Sequence, residues 1–244
     1  MARVVEVINL FKNFQVGLQQ VKVLQGISFN IEEGDFLIVF GPSGCGKSTL
    51  LHTIIGLEKP TLGSVKMMGY DLYNNTTEDD RSDIRKKFVG MVYQQPNWIK
   101  SLNVIENVAF PLILLGKERE QSIKKAGELL KNVGMYSWSY FAPYMLSSGQ
   151  QQKVALCRAL ISNPGIIIAD EPTGNLDFDS SKEIMSILNK LNTEQKRTIL
   201  MVTHDLEYLR YAKNFLRMLN GKIDERVNKN KDELLFEIEK SRLM

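Results

Sequence analysis

An α/β domain with an inserted helical subdomain is the fold this chain predicts, on three observations. Short β-branched runs alternate with longer amphipathic stretches, as strands and helices alternate in a layered α/β domain. A glycine-rich turn follows one apolar run and opens a helical pattern. Between about residues 97 and 162 the strand signal disappears and helical spacing takes over.

Taken in order, strands are expected at 4–10, 23–31, 36–40, 64–68, 88–93, 166–169, 198–202 and 214–219, each rich in Val, Ile, Leu or Phe. Helices are expected at 47–55, 118–133, 149–161, 180–193 and 205–211, where apolar residues recur on one helical face. After Gly221 the chain turns charged, with Leu234, Leu235 and Ile238 at helical spacing, which predicts a terminal amphipathic helix over 231–242. No internal repeat or low-complexity segment is visible. The division that follows is a single domain over 1–244. Its α/β core lies at about 1–96 and 163–221, its helical subdomain at 97–162 and its tail at 222–244.

Composition narrows the function. The chain is 43% hydrophobic and 24% charged, ordinary globular values that argue against disorder. A net charge of +3 does not suggest a nucleic-acid stripe. The N-terminus lacks the charged-then-apolar pattern of a signal peptide. No apolar run approaches the roughly 18 residues of a membrane span; the best, 108–115, is short and contains Pro111. Cys45 and Cys157 are the only cysteines, too few for a disulfide framework or zinc site. A cytoplasmic protein is expected, with any membrane spans supplied by another chain.

Gly41-Pro42-Ser43-Gly44-Cys45-Gly46-Lys47-Ser48-Thr49 follows an apolar strand and opens a helix. That is the phosphate-loop pattern in its required context. Glycines let successive backbone N–H groups curl inward around phosphate oxygens, and the helix start adds its positive dipole end. Lys47 is the residue that reaches the β- and γ-phosphates, and the Ser48 hydroxyl is a Mg²⁺ ligand.

The run Ile166-Ile-Ile-Ala-Asp170-Glu171 is an apolar strand ending in two carboxylates. Buried parallel strands project their polar ends at the carboxyl edge, where ligands bind. Asp170 is placed to hold Mg²⁺ through water, and Glu171 is the candidate general base for an attacking water. Leu146-Ser-Ser-Gly-Gln-Gln-Gln-Lys153 opens a further helix. Ser147 suits either a cap or, with the free N–H groups, a phosphate contact; the two roles are compatible.

Leu146-Ser147-Ser148-Gly149-Gln150, some twenty residues before Asp170–Glu171, resembles the signature of the ATP-binding cassette (ABC) family. The other family elements then follow in order. Phe14 is similar to the aromatic that stacks on adenine, though a core aromatic is the alternative. Gln94 resembles the glutamine that touches Mg²⁺ and the nucleophilic water. Gly174-Asn-Leu-Asp177 resembles the D-loop, and His204 resembles the switch histidine beside the γ-phosphate. The resemblance covers about residues 4–221. It implies a RecA-like P-loop NTPase core with an antiparallel β subdomain and the inserted α-helical subdomain.

The resemblance further implies an ATPase using ATP and Mg²⁺, in which two subunits face head to tail. Each ATP then sits on Lys47 and Ser48 of one subunit and against Ser147 and Gly149 of the other. A homodimer is expected, with two competent sites because Glu171 is intact. The segment 170–177, with Ile105-Glu-Asn-Val108, looks most like the macrolide-export, lipoprotein-release, cell-division and peptide-antibiotic-resistance branch. It implies a separate permease whose coupling helix docks between Gln94 and Val108, holding the subunit on the inner face of the cell membrane. Trp98 and Ile99 either floor that groove or belong to the subdomain's own core. Three positions depart from the family pattern. Ser148 stands where the first signature glycine is usual, Lys153 where arginine is usual, and Cys157 where alanine is commoner. The alternative is a soluble ABC ATPase acting on nucleic acid or another cytoplasmic complex. Only about a hundred residues separate the phosphate loop from the signature, and they show no heptad run. No nucleic acid is expected as a partner.

Overall fold

The computed structural model describes residues 2–224. The expected terminal helix at 231–242 lies outside the described residues. Two sheets organise the chain, one antiparallel with order β2-β1-β4-β5 and one six-stranded with order β10-β9-β3-β8-β7-β6. The first comprises β1 (Arg3–Val16), β2 (Gln19–Glu32), β4 (Leu62–Met67) and β5 (Tyr70–Asp71). The second comprises β3 (Phe36–Phe40), β6 (Val89–Tyr93), β7 (Ile166–Asp170), β8 (Thr198–Thr203), β9 (Asn214–Leu219) and β10 (Lys222–Ile223). All its pairings are parallel except β10 with β9.

The parallel strands form because they are apolar without interruption and can be covered on both faces. All five residues of β3 and all six of β8 are buried. In β7 the strand period of two sorts side chains to opposite faces. Ile166 and Ile168 enter one apolar cluster with the antiparallel sheet and α1 (Lys47–Ile54). Ile167 and Ala169 enter a second, with α5 (Ser148–Leu160) and α6 (Phe178–Thr193). A third cluster is built by α3 (Val104–Leu114), α4 (Arg119–Asn132) and α5. Helix α5 thus serves two clusters, offering Leu156 and Ala159 to one and Val154 and Cys157 to the other. Burial pushes the Cys157 thiol up to about 12, so it packs as a small apolar group.

Several elements differ from expectation. Strands β1 and β2 run well past the expected ends and meet in a hairpin. Register shifts flank Leu10–Phe11 and Lys12–Asn13, and Asn9 has φ 46°. These bulges interrupt the period of two on which strand reading depends. Helix α2 (Glu78–Phe88) was not expected, and it buries no residue. It is held by a Thr77–Asp80 capping box, acids in its first turn, bases in its last, and Glu78 paired with Arg81 and Arg85. Residues Leu206–Tyr211 form a 3₁₀ turn where an α-helix was expected. The Asp205 carboxylate draws in the Glu207 N–H at 2.8 Å and caps this short segment.

Trp98 packs against the third cluster, and its Nε1 donates to Gln151 Oε1 at 2.8 Å. Ile99 is tied by its backbone N–H to Asn107 Oδ1 at 3.0 Å. The fully buried Asn107 also donates from Nδ2 to the carbonyls of Ile99, Leu102 and Asn103 at 3.2, 2.9 and 3.0 Å. Its amide therefore shapes the turn that follows the Gln94 strand end. Asn107→Leu is expected to lower unfolding stability by about 3 kcal/mol, since each stranded buried group costs about 1–3 kcal/mol. A urea titration reads this directly; a shift under about 1 kcal/mol would mean that water or a relaxed turn replaces the amide.

Candidate active site

The phosphate-loop candidate links β3 to α1 by a tight curl. Gly44 and Gly46 adopt φ 77° and 103°, which side chains with a β-carbon rarely reach. A β-carbon at Gly41 would stand 2.1 Å from the Met218 carbonyl oxygen. Cys45 anchors the curl from below, its side chain in the first cluster and its carbonyl accepting the Gly221 N–H at 3.2 Å. Pro42 and Ser43 lie at the surface. Thr49 is half-buried, and its carbonyl accepts the Thr53 hydroxyl at 2.8 Å.

Lys47 is 6% exposed, so its ammonium needs partners. It finds them in the loop itself, donating to the Gly41 and Pro42 carbonyls at 2.8 and 3.0 Å. Its Nζ also lies 4.0 Å from Glu171 Oε1. Beside it, the Ser48 hydroxyl is 3.5 Å from Asp170 Oδ1. Burial holds the Asp170 carboxyl above its ordinary value, with the His52 charge opposing that shift and the neighbouring Glu171 adding to it.

Glu171 has φ 45°, a left-handed conformation uncommon for a residue with a side chain and held only where surroundings over-determine it. Its N–H donates to the Val202 carbonyl on β8 and its own carbonyl accepts the Gly174 N–H, both at 3.0 Å. The kink matters because successive residues on a strand point to opposite faces. Leaving strand geometry at this residue lets Glu171 share a loop mouth with Lys47 while Asp170 meets Ser48. Across the mouth, His204 Nδ1 lies 3.1 Å from Glu171 Oε2. A cavity of ≈ 260 Å³ opens beside this pair, lined also by Thr173, Gly174 and Thr203.

Gln94 follows Tyr93, which pairs with Asp170 across β6 and β7. Its Nε2 is 3.4 Å from Asn175 Oδ1. A β-carbon at Gly174 would stand 2.6 Å from the same nitrogen. Asn175, inside the segment that resembles the D-loop, therefore meets the Gln94 side chain. Phe14 is half-buried, outside all three clusters, with the Lys12 ammonium 4.6 Å from its ring centroid. That removes the core-aromatic alternative.

A second group gathers at two helix starts. Ser147 caps α5, its Oγ accepting the Gln150 N–H at 3.3 Å while Gln150 Oε1 accepts the Ser147 N–H at 3.0 Å. Ser147 and Ser148 are exposed and Gly149 is buried. Asp177 caps α6 through the Ser180 N–H and hydroxyl, both at 2.8 Å. Those two bonds hold its carboxyl below the ordinary range.

The chemistry available is that of a phosphate ester and a hard cation. A glycine curl at a helix start, a buried ammonium and a hydroxyl–carboxylate pair suit phosphate oxygens and Mg²⁺. Among the described residues no group of three or more His, Cys, Asp and Glu could hold a metal alone. That fits Mg²⁺, which is commonly held by one or two carboxylates plus substrate phosphates and water. Glu171 is the carboxylate that stands between Lys47 and His204 at the loop mouth.

Comparison with known proteins gives one consistent answer. Residues 24–174 match the family model described as ABC transporter. An uncharacterised ABC transporter ATP-binding protein of Methanocaldococcus jannaschii is 43% identical over 225 residues, covering 92% of this chain and 100% of that protein. A macrolide export ATP-binding/permease protein of Bdellovibrio bacteriovorus is 42% identical over 225 residues, covering 91% of this chain and 34% of that longer protein. Among solved structures, a dimeric ATP-binding cassette in a post-hydrolysis state, bound to ADP and Pi, superposes with a TM-score of 0.84. It is 38% identical, with 91% of this chain and 97% of that one covered.

Proposed function

The chain belongs to the ABC transporter family, and from that premise we propose that Glu171, with His204 and Gln94, hydrolyses ATP held on residues 41–49 so as to drive a separate membrane permease. The observation that carries this reading is the convergence of Lys47, Ser48, Asp170, Glu171 and His204 at one loop mouth, through contacts of 4.0 Å or less. Lys47 exchanges its loop carbonyls for β- and γ-phosphate oxygens. Ser48 and Asp170, with Gln94 nearby, would hold Mg²⁺, which when bound offsets phosphate charge. Glu171 takes the proton of the attacking water. His204, with Nδ1 3.1 Å from Glu171 Oε2, keeps that carboxylate aimed and faces the γ-phosphate. Phe14 offers its ring to adenine, with Lys12 beside it.

The relatives extend the reading to assembly. The solved cassette described as dimeric supports a head-to-tail homodimer. In it, Ser147, Ser148, Gly149 and Gln150 of one subunit meet the phosphates on the other, next to Asp177. Two helix starts then compensate the nucleotide's charge. The domain division at about 1–96 with 163–221, 97–162 and 222–244 fits this use, the helical part carrying the signature. Among the described residues no helix is long and apolar enough to cross a membrane; membership of the transporter family supports a position at the inner face of the membrane, where the permease holds this chain. The similarity to a macrolide export protein favours the exporting or force-transmitting branch.

The permease docks on the segment 94–108 and extends from it into a cleft of ≈ 420 Å³ between α2, β6, the end of α3 and α5, which that segment lines through Asn97 alone. Exposed Leu57 and Leu114 flank it, with Pro111 and Tyr93. Its cations are Arg85, Lys86 and Arg158, and no carboxylate lines it. Arg158 stacks on Trp98 at 4.5 Å and donates to the Asn97 carbonyl at 2.8 Å. A coupling helix bearing an acidic residue suits that charge. Capture of tagged Glu171→Gln subunit from detergent-solubilised source membranes with Mg-ATP tests the reading. A permease of few spans with a large extracytoplasmic portion is expected; recovery of soluble partners alone would replace transport with cytoplasmic work.

A further inference from the structure

We propose that Ser180 is a positioning residue for the signature segment, and that Gly149 is glycine because of Ser180 in its own chain. The inference rests on the cassette reading above and adds to it a contact within the subunit. Glycine two residues into a helix is a weak helix former, so its presence there asks for a reason. The expected reason is close approach to the partner's nucleotide. The geometry points elsewhere: a β-carbon at Gly149 would stand 2.5 Å from Ser180 Oγ and 2.9 Å from Ser180 Cβ. Gly149 is buried against α6, while Ser147 and Ser148 are exposed.

The wall is fixed. Ser180 Oγ donates to Asp177 Oδ2 and its N–H to Asp177 Oδ1, both at 2.8 Å, so the hydroxyl swings only by giving up its own bond to Asp177. The Ser180 Cβ remains in place in any rotamer. Residues 174–180 thereby touch two parts of the site at once. One end meets Gln94 through Gly174 and Asn175, and the other meets the start of α5 at Gly149. This segment is a spacer that sets how far the signature stands from the Gln94 side of the site.

Four proteins test this: the parent, Gly149→Ala, Ser180→Gly and the double variant. Each is measured for turnover, for ATP-dependent dimerisation in a Glu171→Gln background by light scattering, and for nucleotide affinity of the isolated subunit with a fluorescent ATP analogue. Relief of the clash needs a shift on the order of 1 Å, a misplacement that can cost about 10²-fold, so Gly149→Ala should lose about 10- to 10²-fold in turnover and dimerisation. Its affinity at its own glycine loop should move less than about twofold, which separates positioning from general damage. Adding Ser180→Gly removes both blocking atoms and should restore activity to within about threefold of Ser180→Gly alone. A double variant as impaired as Gly149→Ala overturns the proposal, since the β-carbon would then be colliding with the nucleotide or the partner. Full activity of Gly149→Ala overturns it as well. If Gly149→Ala does not fold, recovery of a thermal transition in the double variant supports the contact and continued failure overturns it. Failure of the cassette reading is seen separately, as a Glu171→Gln parent that does not dimerise with ATP.

Discussion

Glu171→Gln is expected to lower ATP turnover by roughly 10²- to 10⁴-fold, the range that follows loss of a general base. The substitution keeps shape and removes the basic oxygen. Its other contacts should survive, because Glu171 is held by backbone bonds to Val202 and Gly174, which an amide side chain leaves alone. Lys47 and His204 face different oxygens of Glu171, so the amide keeps its single oxygen for one of them and turns its NH₂ toward the other. Nucleotide should therefore bind, and with hydrolysis stalled the ATP-bound dimer should accumulate. Phosphate release and light scattering measure the two halves of the prediction. Undiminished turnover would move the proton-accepting role to another residue, of which the nearest is His204, 3.1 Å away.

Lys47→Ala should abolish useful nucleotide binding. Hydrogen bonds to charged groups contribute about 1.5–3 kcal/mol each, and two to phosphate oxygens therefore correspond to a loss of roughly 10²- to 10⁴-fold in affinity. In the free protein that ammonium is bound to the Gly41 and Pro42 carbonyls. Its removal takes away a buried charge and leaves two loop carbonyls open to the surface. Folding stability should change far less than affinity, and the contrast identifies a ligand-binding lysine. Calorimetric titration with Mg-ATP and a thermal melt give both numbers. Retained micromolar affinity would contradict the phosphate-loop reading.

Much of this site was legible because its signals are local. A glycine curl must follow a strand and open a helix, and residues 36–54 carry that whole sentence in order. The parallel strands were legible because burial on both faces leaves no polar position in Phe36–Phe40 or Ile166–Ala169. Helix α2 left no such trace, since it buries no residue fully and packs only Ile84 partly against the first cluster; its capping box and charge order were the readable signals. The lengths of β1 and β2 were hidden by bulges that break alternation. Residues 206–211 carry helical spacing but are too few to stabilise an α-helix against the Asp205 turn. Ser180 and the Trp98–Gln151 bond became visible through tertiary placement alone, because each joins residues distant in the chain. Trp98 illustrates the limit well: the sequence left it equally suited to a groove floor or a core, and the fold spends it on the third cluster.

Helix α5 runs from one end of the machinery to the other. Its first turn carries Ser148 and Gly149, and its last carries Arg158 and Ala159, which line the cleft beneath α3. Thirteen residues at about 1.5 Å each make a rod of about 20 Å. Along its length Gln151 and Gln152 are bonded to Trp98 and to the Tyr93 carbonyl, bonds that tie the rod to the end of β6. With the permease docked in that cleft as proposed, one continuous helix would join its contact to the signature, with no relay of side chains between them.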